Sequence, residues 1–359
     1  MQILIDATPL LLRSAGVKNY TYYWIQNLWQ QARNDRIMTL PALASLGPLD
    51  HERSIAGRAR TFLHLGRVFA SNRAPSLPLL RWTMPKADVF HVSNQIRFPP
   101  RGVKLTATLY DMTVRLMPEF HTSANIQADE YLAKHILARA DRLIAISENT
   151  KRDAARLLGL DTERIEVIYP GVPEVYFGAQ ARPNEQPYVL YLGTLEPRKN
   201  VDTLLDAWSG FRFRGDFDLV IAGASGWAAE KTLERLAARP PGVRYLGYVP
   251  EDELPGLIAG ASAFVYPSLY EGFGFPVAQA MAAGVPVITS NTSCLPEIAG
   301  EAALLVDPRS AADIREAMEK LLTSPRLQQQ LRTAGIARAQ SEYRWEICAR
   351  KSLEFFRRV

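Results

Sequence analysis

The chain alternates short, mostly apolar runs with stretches of helical spacing, and it does so twice. In the first half the apolar runs fall at 3–6, 89–92, 105–109 and 143–146. In the second they fall at 188–192, 219–222, 243–246, 263–266, 285–289 and 303–306. Runs this short and this apolar read as buried parallel strands. Between them, 127–140 and 149–158 carry the spacing of amphipathic helices. Strand–helix alternation on both sides of the chain predicts two doubly wound α/β domains, not one extended sheet. The 359 residues agree, because a single core stops growing at roughly 250–300 residues. The stretch "YPGVPEVYFGAQARPNEQP" at 169–187 is rich in Pro and Gly and precedes a strand, so the boundary belongs there. The expected division is 1–172, 173–341 and a final amphipathic helix in 342–359, with Tyr343, Trp345, Ile347 and Phe355 available to bury.

Composition narrows the compartment and the partners. The only cysteines, Cys294 and Cys348, are far apart and match no metal-ligand spacing, which fits two free thiols in a reducing cytoplasm. No window approaches ~18 uninterrupted apolar residues, and the N-terminus lacks a basic-then-apolar leader. The expectation is a chain that neither spans a membrane nor is exported by a standard signal, and no nucleic-acid partner is expected. The net charge of +5 is uneven: residues 1–170 hold 22 Lys/Arg against 15 Asp/Glu, the remainder 20 against 22. Between Glu52 and Asp88 there is no acid, while Arg53, Arg58, Arg60, Arg67, Arg73, Arg81 and Lys86 fall there. The same segment, 53–86, carries Phe62, Leu63, Leu65, Val68, Phe69, Leu79, Leu80 and Trp82. It reads either as a solvated face or as an element meeting an anionic membrane surface or a phosphorylated partner.

Four stretches place polar chemistry where a strand gives way to a helix. In "YPSLYEGFGFPVAQAMAAG" a strand ends near Pro267, Glu271 sits in a Gly-Phe-Gly turn, and Pro276 stands where a first helical residue would. Proline there costs no hydrogen bond, and Gly284 can close the helix in the left-handed conformation. Amides of Gly272, Phe273 and Gly274 would face the space beyond the strand ends, where open α/β sheets bind ligands and helix N-termini favour anions. A plain tight turn is the alternative. In "YLGTLEPRKN", Arg198 and Lys199 precede a helix whose dipole opposes them, which favours a compensating anion over plain surface charge. "AGVKNYTYYWIQNL" places Gly16 and Val17 just after the first strand, and "TLYDMTVRLMPEFH" places Tyr110, Asp111 and His121 after another, where Asp111 is equally a capping residue.

Absences discriminate too. The Asp216–Asp218 pair leads into a strand instead of following one, so it reads as structure and not as a metal site. His51, His64, His91, His121 and His135 show no zinc spacing, and neither the nucleophile-elbow nor the P-loop pattern appears.

Taken in order, "SAGVKNYT", "YDMT…PEF", "ISENTKRD", "VIYPGV", "YLGTLEPRKN", "LGYVPEDEL", "YPSLYEGFGFPVAQAMAAGVPVITSN" and "LPEIAGEAALLVDP" resemble the retaining, nucleotide-sugar-dependent glycosyltransferases of family-4 type. The resemblance is nearly full-length, and "GTLEPRKN" looks like the mannosyltransferase members that build surface polysaccharides. It implies the GT-B fold: two Rossmann-like domains facing a central cleft, the first for acceptor and the second for donor, with the last helix crossing back to the first. It implies that Lys199 and Arg198 hold the donor diphosphate, that Gly16 and Val17 approach it, and that Glu271 contacts the donor sugar. Gly272, Phe273, Gly274 and Phe275 would surround sugar and phosphate, with Thr194 nearby, Tyr248 and Val249 near the base, and 291–293 closing the wall. Asp111 and Tyr110 would stand near the sugar.

Two positions depart from the family's pattern. Its paired glutamates read Glu271…Gln279 here, and the second normally receives the ribose hydroxyls. Its frequent His-Asp reads Tyr110-Asp111. The implied donor is GDP-mannose or a UDP-hexose, and the acceptor a saccharide or a polyprenyl-diphosphate-linked one. No cofactor or metal is expected. Fixed cations and helix-terminal amides can stabilise a departing nucleoside diphosphate, and no carboxylate pair at glycosidase spacing is visible. Front-side displacement with retention is what the family implies. The competing reading is a catalytically weakened protein of the same fold that binds nucleotide or acceptor and supports a partner transferase.

Overall fold

The computed structural model describes residues 1–13, 16–51, 53–73, 84–93, 95–99 and 102–359. The chain forms two compact units, Met1–Gly171 with Trp345–Val359, and Val172–Arg344. Each unit is built on a six-stranded sheet.

The first sheet comprises β1 (Gln2–Asp6), β2 (Arg36–Leu40), β3 (Val89–Val92), β4 (Lys104–Leu109), β5 (Arg142–Ala145) and β6 (Ile165–Val167), in the order β2-β1-β3-β4-β5-β6. The second comprises β7 (Tyr188–Leu192), β8 (Asp218–Ala222), β9 (Val243–Gly247), β10 (Ala263–Tyr266), β11 (Val287–Ser290) and β12 (Ala303–Val306), in the order β12-β11-β10-β7-β8-β9. Every pairing is parallel. The two are doubly wound α/β sheets, as the alternation predicted. The strand order reverses between β1 and β3 in one and between β7 and β10 in the other, and such switch points open the crevice where ligands bind.

All ten anticipated strands are present. The two that escaped, β2 and β6, are the edge strands of the first sheet. Their burial is partial, and "RIMTL" and "IEV" mix charge with apolar residues, so neither shows the continuous run of a strand covered on both faces. The helix expected over 149–158 is Glu148–Leu158. Ser147 accepts the Thr150 amide at its start, and Gly159 ends it at φ 64°. The one expected over 127–140 starts earlier, as Ser123–Leu132 capped by Thr122, and widens into a π-turn at Ala133–Leu137.

The chain's last helix begins at Trp345, not at Glu342. Glu342 ends the preceding helix, Pro325–Glu342, and Tyr343 stays in the second unit, where its hydroxyl donates to the Ile298 carbonyl at 2.8 Å. Trp345–Arg357 then packs on Gly16–Gln31 of the first unit. The Trp24 indole donates to Ser352 Oγ at 2.9 Å, and Trp345 lies face-on to Tyr23 with ring centroids 6.0 Å apart. Gly171 permits this: a Cβ there would lie 2.3 Å from the Trp345 backbone nitrogen.

Candidate active site

At the switch point of the second sheet, the loops after β7 and β10 are stitched to each other. Pro197–Lys199 forms one 3₁₀ turn, and Asn200 follows in the left-handed region at φ 61°. The Asn200 amide donates to the carbonyls of Pro267 at 2.9 Å and Pro308 at 2.6 Å. The Leu269 N–H donates to the Arg198 carbonyl at 2.9 Å. These bonds bring Arg198 and Lys199 against Glu271.

Glu271 is 7% exposed and its carboxylate is nearly encircled. Oε1 accepts from Lys199 Nζ at 2.6 Å, Ser268 Oγ at 2.7 Å and the Tyr266 hydroxyl at 3.0 Å. Oε2 faces the Arg198 guanidinium at 3.2 Å. Burial alone would push this carboxyl upward, but Lys199 and Arg198 hold its pKa down to about 2. Arg198 is shared: it also pairs with Glu196 at 2.6 Å and donates to the Tyr270 carbonyl at 2.7 Å. Lys199 also donates to the Tyr266 hydroxyl at 2.7 Å, so one of its three protons stays uncommitted.

This corrects one step of the sequence argument. The two cations do not wait for an outside anion, because Glu196 and Glu271 neutralise them within the fold. The helix-dipole argument therefore carries no weight for a diphosphate, and any such ligand must join a network that already sums to zero.

The turn beyond Glu271 behaves as its composition predicts. Gly272, Phe273 and Gly274 are buried, and Gly274 caps the helix Phe275–Ala282 at φ 84°, with Pro276 in the first turn. A Cβ at Gly274 would lie 2.7 Å from Leu295 Cδ2. The Phe273 ring packs on Tyr343, so this residue offers its backbone and not its side chain. Ser293 Oγ accepts the Glu271 N–H at 3.2 Å, which ties the 291–293 stretch to the turn. Gln279, on the same helix, is 7% exposed, and no described residue hydrogen-bonds its side-chain amide. Thr194 is exposed in the loop after β7. Tyr248, 59% exposed, and Val249 follow β9, which lies two strands from β7 at the sheet edge, so the structure does not gather them with Glu271.

In the first unit Val17, Tyr110, Asp111 and His121 line one cavity of about 700 Å³ at the ends of β3 and β4. Gly16 opens the helix next to Val17, and residues 14–15 before it lie outside those described. Asp111 makes the local bonds of a capping residue and also faces a cavity. Its Oδ1 accepts from the Thr113 N–H at 3.0 Å and hydroxyl at 2.6 Å, while the residue also lines the cavity. The Tyr110 ring meets Tyr20 edge-on at 5.3 Å, and burial pushes its hydroxyl pKa upward. Tyr266, Ser268, Glu196 and Asn200 were not anticipated. Tyr266 and Ser268 could have been, since the first ends the strand and the second lies in the loop that leads straight into Glu271.

No group of three or more potential metal-ligating side chains occurs among the described residues, and no described helix is long and apolar enough to cross a membrane.

Residues 174–338 match the family "Glycosyl transferases group 1", and residues 15–175 match "Glycosyltransferase Family 4". The O-antigen chain mannosyltransferase B of Escherichia coli is 31% identical over 287 residues, covering 76% of this chain and 74% of that protein. The chain belongs to this glycosyltransferase family. The E. coli serotype-specific mannosyltransferase WbdA is 28% identical over 240 residues, but the chain spans only 29% of its length. Among solved structures, sucrose-phosphate synthase from Thermosynechococcus elongatus aligns with a TM-score of 0.75 at 20% identity, covering 100% of this glycosyltransferase and 98% of the other. Anabaena HepE, solved with UDP-glucose, aligns over the whole of both chains with a TM-score of 0.73 at 16% identity. These likenesses carry the fold of the glycosyltransferase and leave its substrates to its own residues.

Proposed function

We propose that this glycosyltransferase moves a hexose, mannose first among candidates, from a nucleoside diphosphate sugar to a saccharide or lipid-linked saccharide, with retention, in the synthesis of a surface polysaccharide. The observation that carries the reading is the Glu271–Lys199–Arg198 network at the β7/β10 switch point. The O-antigen chain mannosyltransferase supports mannose and the polysaccharide context.

The division of labour follows from the geometry. The uncommitted Lys199 proton and the amides around Gly272 to Gly274 would receive the diphosphate. Glu271 Oε2, which takes one donor against three on Oε1, retains capacity for a sugar hydroxyl. As the bond from the anomeric carbon to the phosphate oxygen breaks, charge builds on that oxygen, where a fixed cation and amides stabilise it. The acceptor oxygen bonds to the anomeric carbon from the same face, and its proton passes to the departing phosphate. No protein carboxylate is asked to take it.

The helix Arg58–Arg73 supports a peripheral position at an anionic membrane. Phe62, Leu63 and Phe69 are 76%, 68% and 58% exposed on it, among Arg58, Arg60 and Arg73. Val68 and His64 face inward, with His64 Nε2 bonded to Thr8 Oγ1 at 2.8 Å, so the apolar outer face does not come from poor anchoring. Leu79, Leu80, Arg81 and Trp82, also part of that expectation, lie outside the described residues.

The deciding experiment incubates the pure chain with GDP-mannose and a panel of UDP-hexoses, with and without saccharide acceptors, and reads the anomeric configuration of any product by NMR. An α product from an α donor upholds retention, and an inverted product refutes it. Tight nucleotide binding with no transfer to any acceptor would leave a supporting, non-catalytic protein.

A further inference from the structure

The loop after β8 presents a side chain that no step of the proposed transfer uses. Trp227 is 49% exposed, and no hydrogen bond or ring contact engages its indole among the described residues. A single exposed apolar residue is ordinary on a protein surface and argues little by itself. This one is held. Before it, the Gly226 N–H donates to the Leu195 carbonyl at 2.8 Å, and the Leu195 N–H donates to the Ala224 carbonyl at 2.9 Å. A Cβ on Gly226 would lie 2.6 Å from Thr194 Cγ2 and 2.8 Å from the Leu195 oxygen, so glycine is what lets the two loops meet this closely. After it, Ala228 sits in the left-handed region at φ 53°, which a residue with a Cβ adopts only against steric strain. Strain that a packed loop holds in place concentrates at sites where a side chain must be presented in one position.

The loop that Gly226 touches is the one that carries Glu196, Arg198 and Lys199. Neighbouring strands lie about 4.8 Å apart, and β8 flanks β7 on the side away from β10, the strand that leads into Glu271. A nucleoside diphosphate sugar with its sugar at Glu271 and its phosphates at Lys199 therefore extends its nucleoside over β8. We propose that Trp227 stacks on the base of the donor nucleotide, and that this indole face selects a purine. The proposal rests on the reading that the second unit binds a nucleoside diphosphate sugar, and it narrows that reading. Indole and purine are both bicyclic, so their overlap exceeds what a single pyrimidine ring can make, and stacking needs only the ring face.

The test is calorimetric titration of the full chain with GDP, ADP, UDP, CDP and base-free inorganic diphosphate. The tightest-binding nucleotide should be a purine. Trp227→Ala should weaken that nucleotide by roughly tenfold or more, the usual loss when a base is deprived of its aromatic partner, and the pyrimidine nucleotides by less. Trp227→Phe should retain part of the gain, since one ring keeps part of the overlap. Inorganic diphosphate should bind all three proteins alike. Tryptophan emission supplies a second measurement: the purine nucleotide should quench it in the unsubstituted chain, and that quench should vanish in Trp227→Phe. A pyrimidine nucleotide binding tightest, purine affinity surviving Trp227→Ala, or inorganic diphosphate weakened as much as the nucleotide would each overturn the role of Trp227 and leave the donor reading standing. A chain that binds none of the four nucleotides would overturn both.

Discussion

Consider removing the Lys199 ammonium. Its partner, Glu271, is 7% exposed, and the Lys199 side chain is 12% exposed, so the pair stands largely out of water at 2.6 Å. Breaking a buried pair from one side typically costs about 3–5 kcal/mol, because the abandoned charge keeps its desolvation. Here Glu271 still has Arg198, Tyr266 and Ser268, so the expected cost of Lys199→Met falls lower, at roughly 2–3 kcal/mol. For a unit of this size that corresponds to a Tm lowered by roughly 5–10 °C. Turnover should fall by about two orders of magnitude or more, the usual loss when one preorganised charge-stabilising group is removed. The double variant Lys199→Met/Glu271→Gln separates the two effects. It deletes both members of the pair, so most of the lost Tm should return, while turnover should stay down. Calorimetry on the three proteins, beside initial rates with the active nucleotide sugar, makes the measurement. Near-normal turnover in the single variant would show that Lys199 is structural charge. Recovery of turnover in the double variant would show that the network positions the loop and does not act on the donor.

Other outcomes follow from the same geometry. His91 and His64 are held neutral by burial, with pKa values lowered to about 3 and about 4, so their stabilisation is complete above their unfolded value near 6.5 and drains as pH falls. Glu271, lowered to about 2, loses its contribution only below about 4.5, so calorimetry from pH 7 to 4 should show the first unit melting earlier; parallel shifts in both transitions would contradict this. Turnover should survive EDTA, since the proposed charge stabilisation comes from Lys199 and the amides around Gly272 to Gly274; loss with EDTA and rescue by manganese would refute that. The chain should float with anionic and not neutral liposomes, and Phe62→Ser/Leu63→Ser should reduce flotation; equal, salt-insensitive behaviour in both would return the helix to a solvated face. Gln279→Glu should lower the donor KM by roughly tenfold with little change in kcat, as added ground-state binding does; abolished activity would show a role for the amide beyond the ribose.

What the sequence disclosed and what it withheld divide along physical lines. Short apolar runs made ten strands legible, the half-exposed edge strands β9 and β12 among them, while β2, which opens on a charge, and β6, three residues with a charge in the middle, were not. The Gly-Phe-Gly turn, Pro276 and Gly284 announced a helix start and stop because those residues relieve specific backbone costs. Glu271, Arg198 and Lys199 were legible as residues at strand ends. Their mutual neutralisation was not, because pairing 72 residues apart depends on β10 lying beside β7. The C-terminal helix was placed three residues early, since Tyr343 is as apolar as Trp345 and only tertiary contact assigns it to the second unit.

That neutralisation also bears on why position 279 is an amide. Glu196, Arg198, Lys199 and Glu271 sum to no net charge, so they offer a nucleoside diphosphate direction more than bulk attraction. The diphosphate's own charge must then be met by backbone amides around Gly272 to Gly274 and by the uncommitted Lys199 proton. A carboxylate at 279, buried to the same 7% and on the helix that Gly274 caps, would add a negative charge to a site with no surplus cation to balance it. Gln279 removes that charge and keeps both an acceptor and a donor for hydroxyls, at the cost of the stronger charge-assisted bonds. On this argument the amide trades affinity for the sugar nucleotide's ribose against repulsion of its phosphates. The trade has a signature: the KM advantage of Gln279→Glu should shrink at low ionic strength, where unscreened repulsion is strongest, and grow as salt screens it. A KM ratio unchanged across salt would show that the residue senses only the ribose.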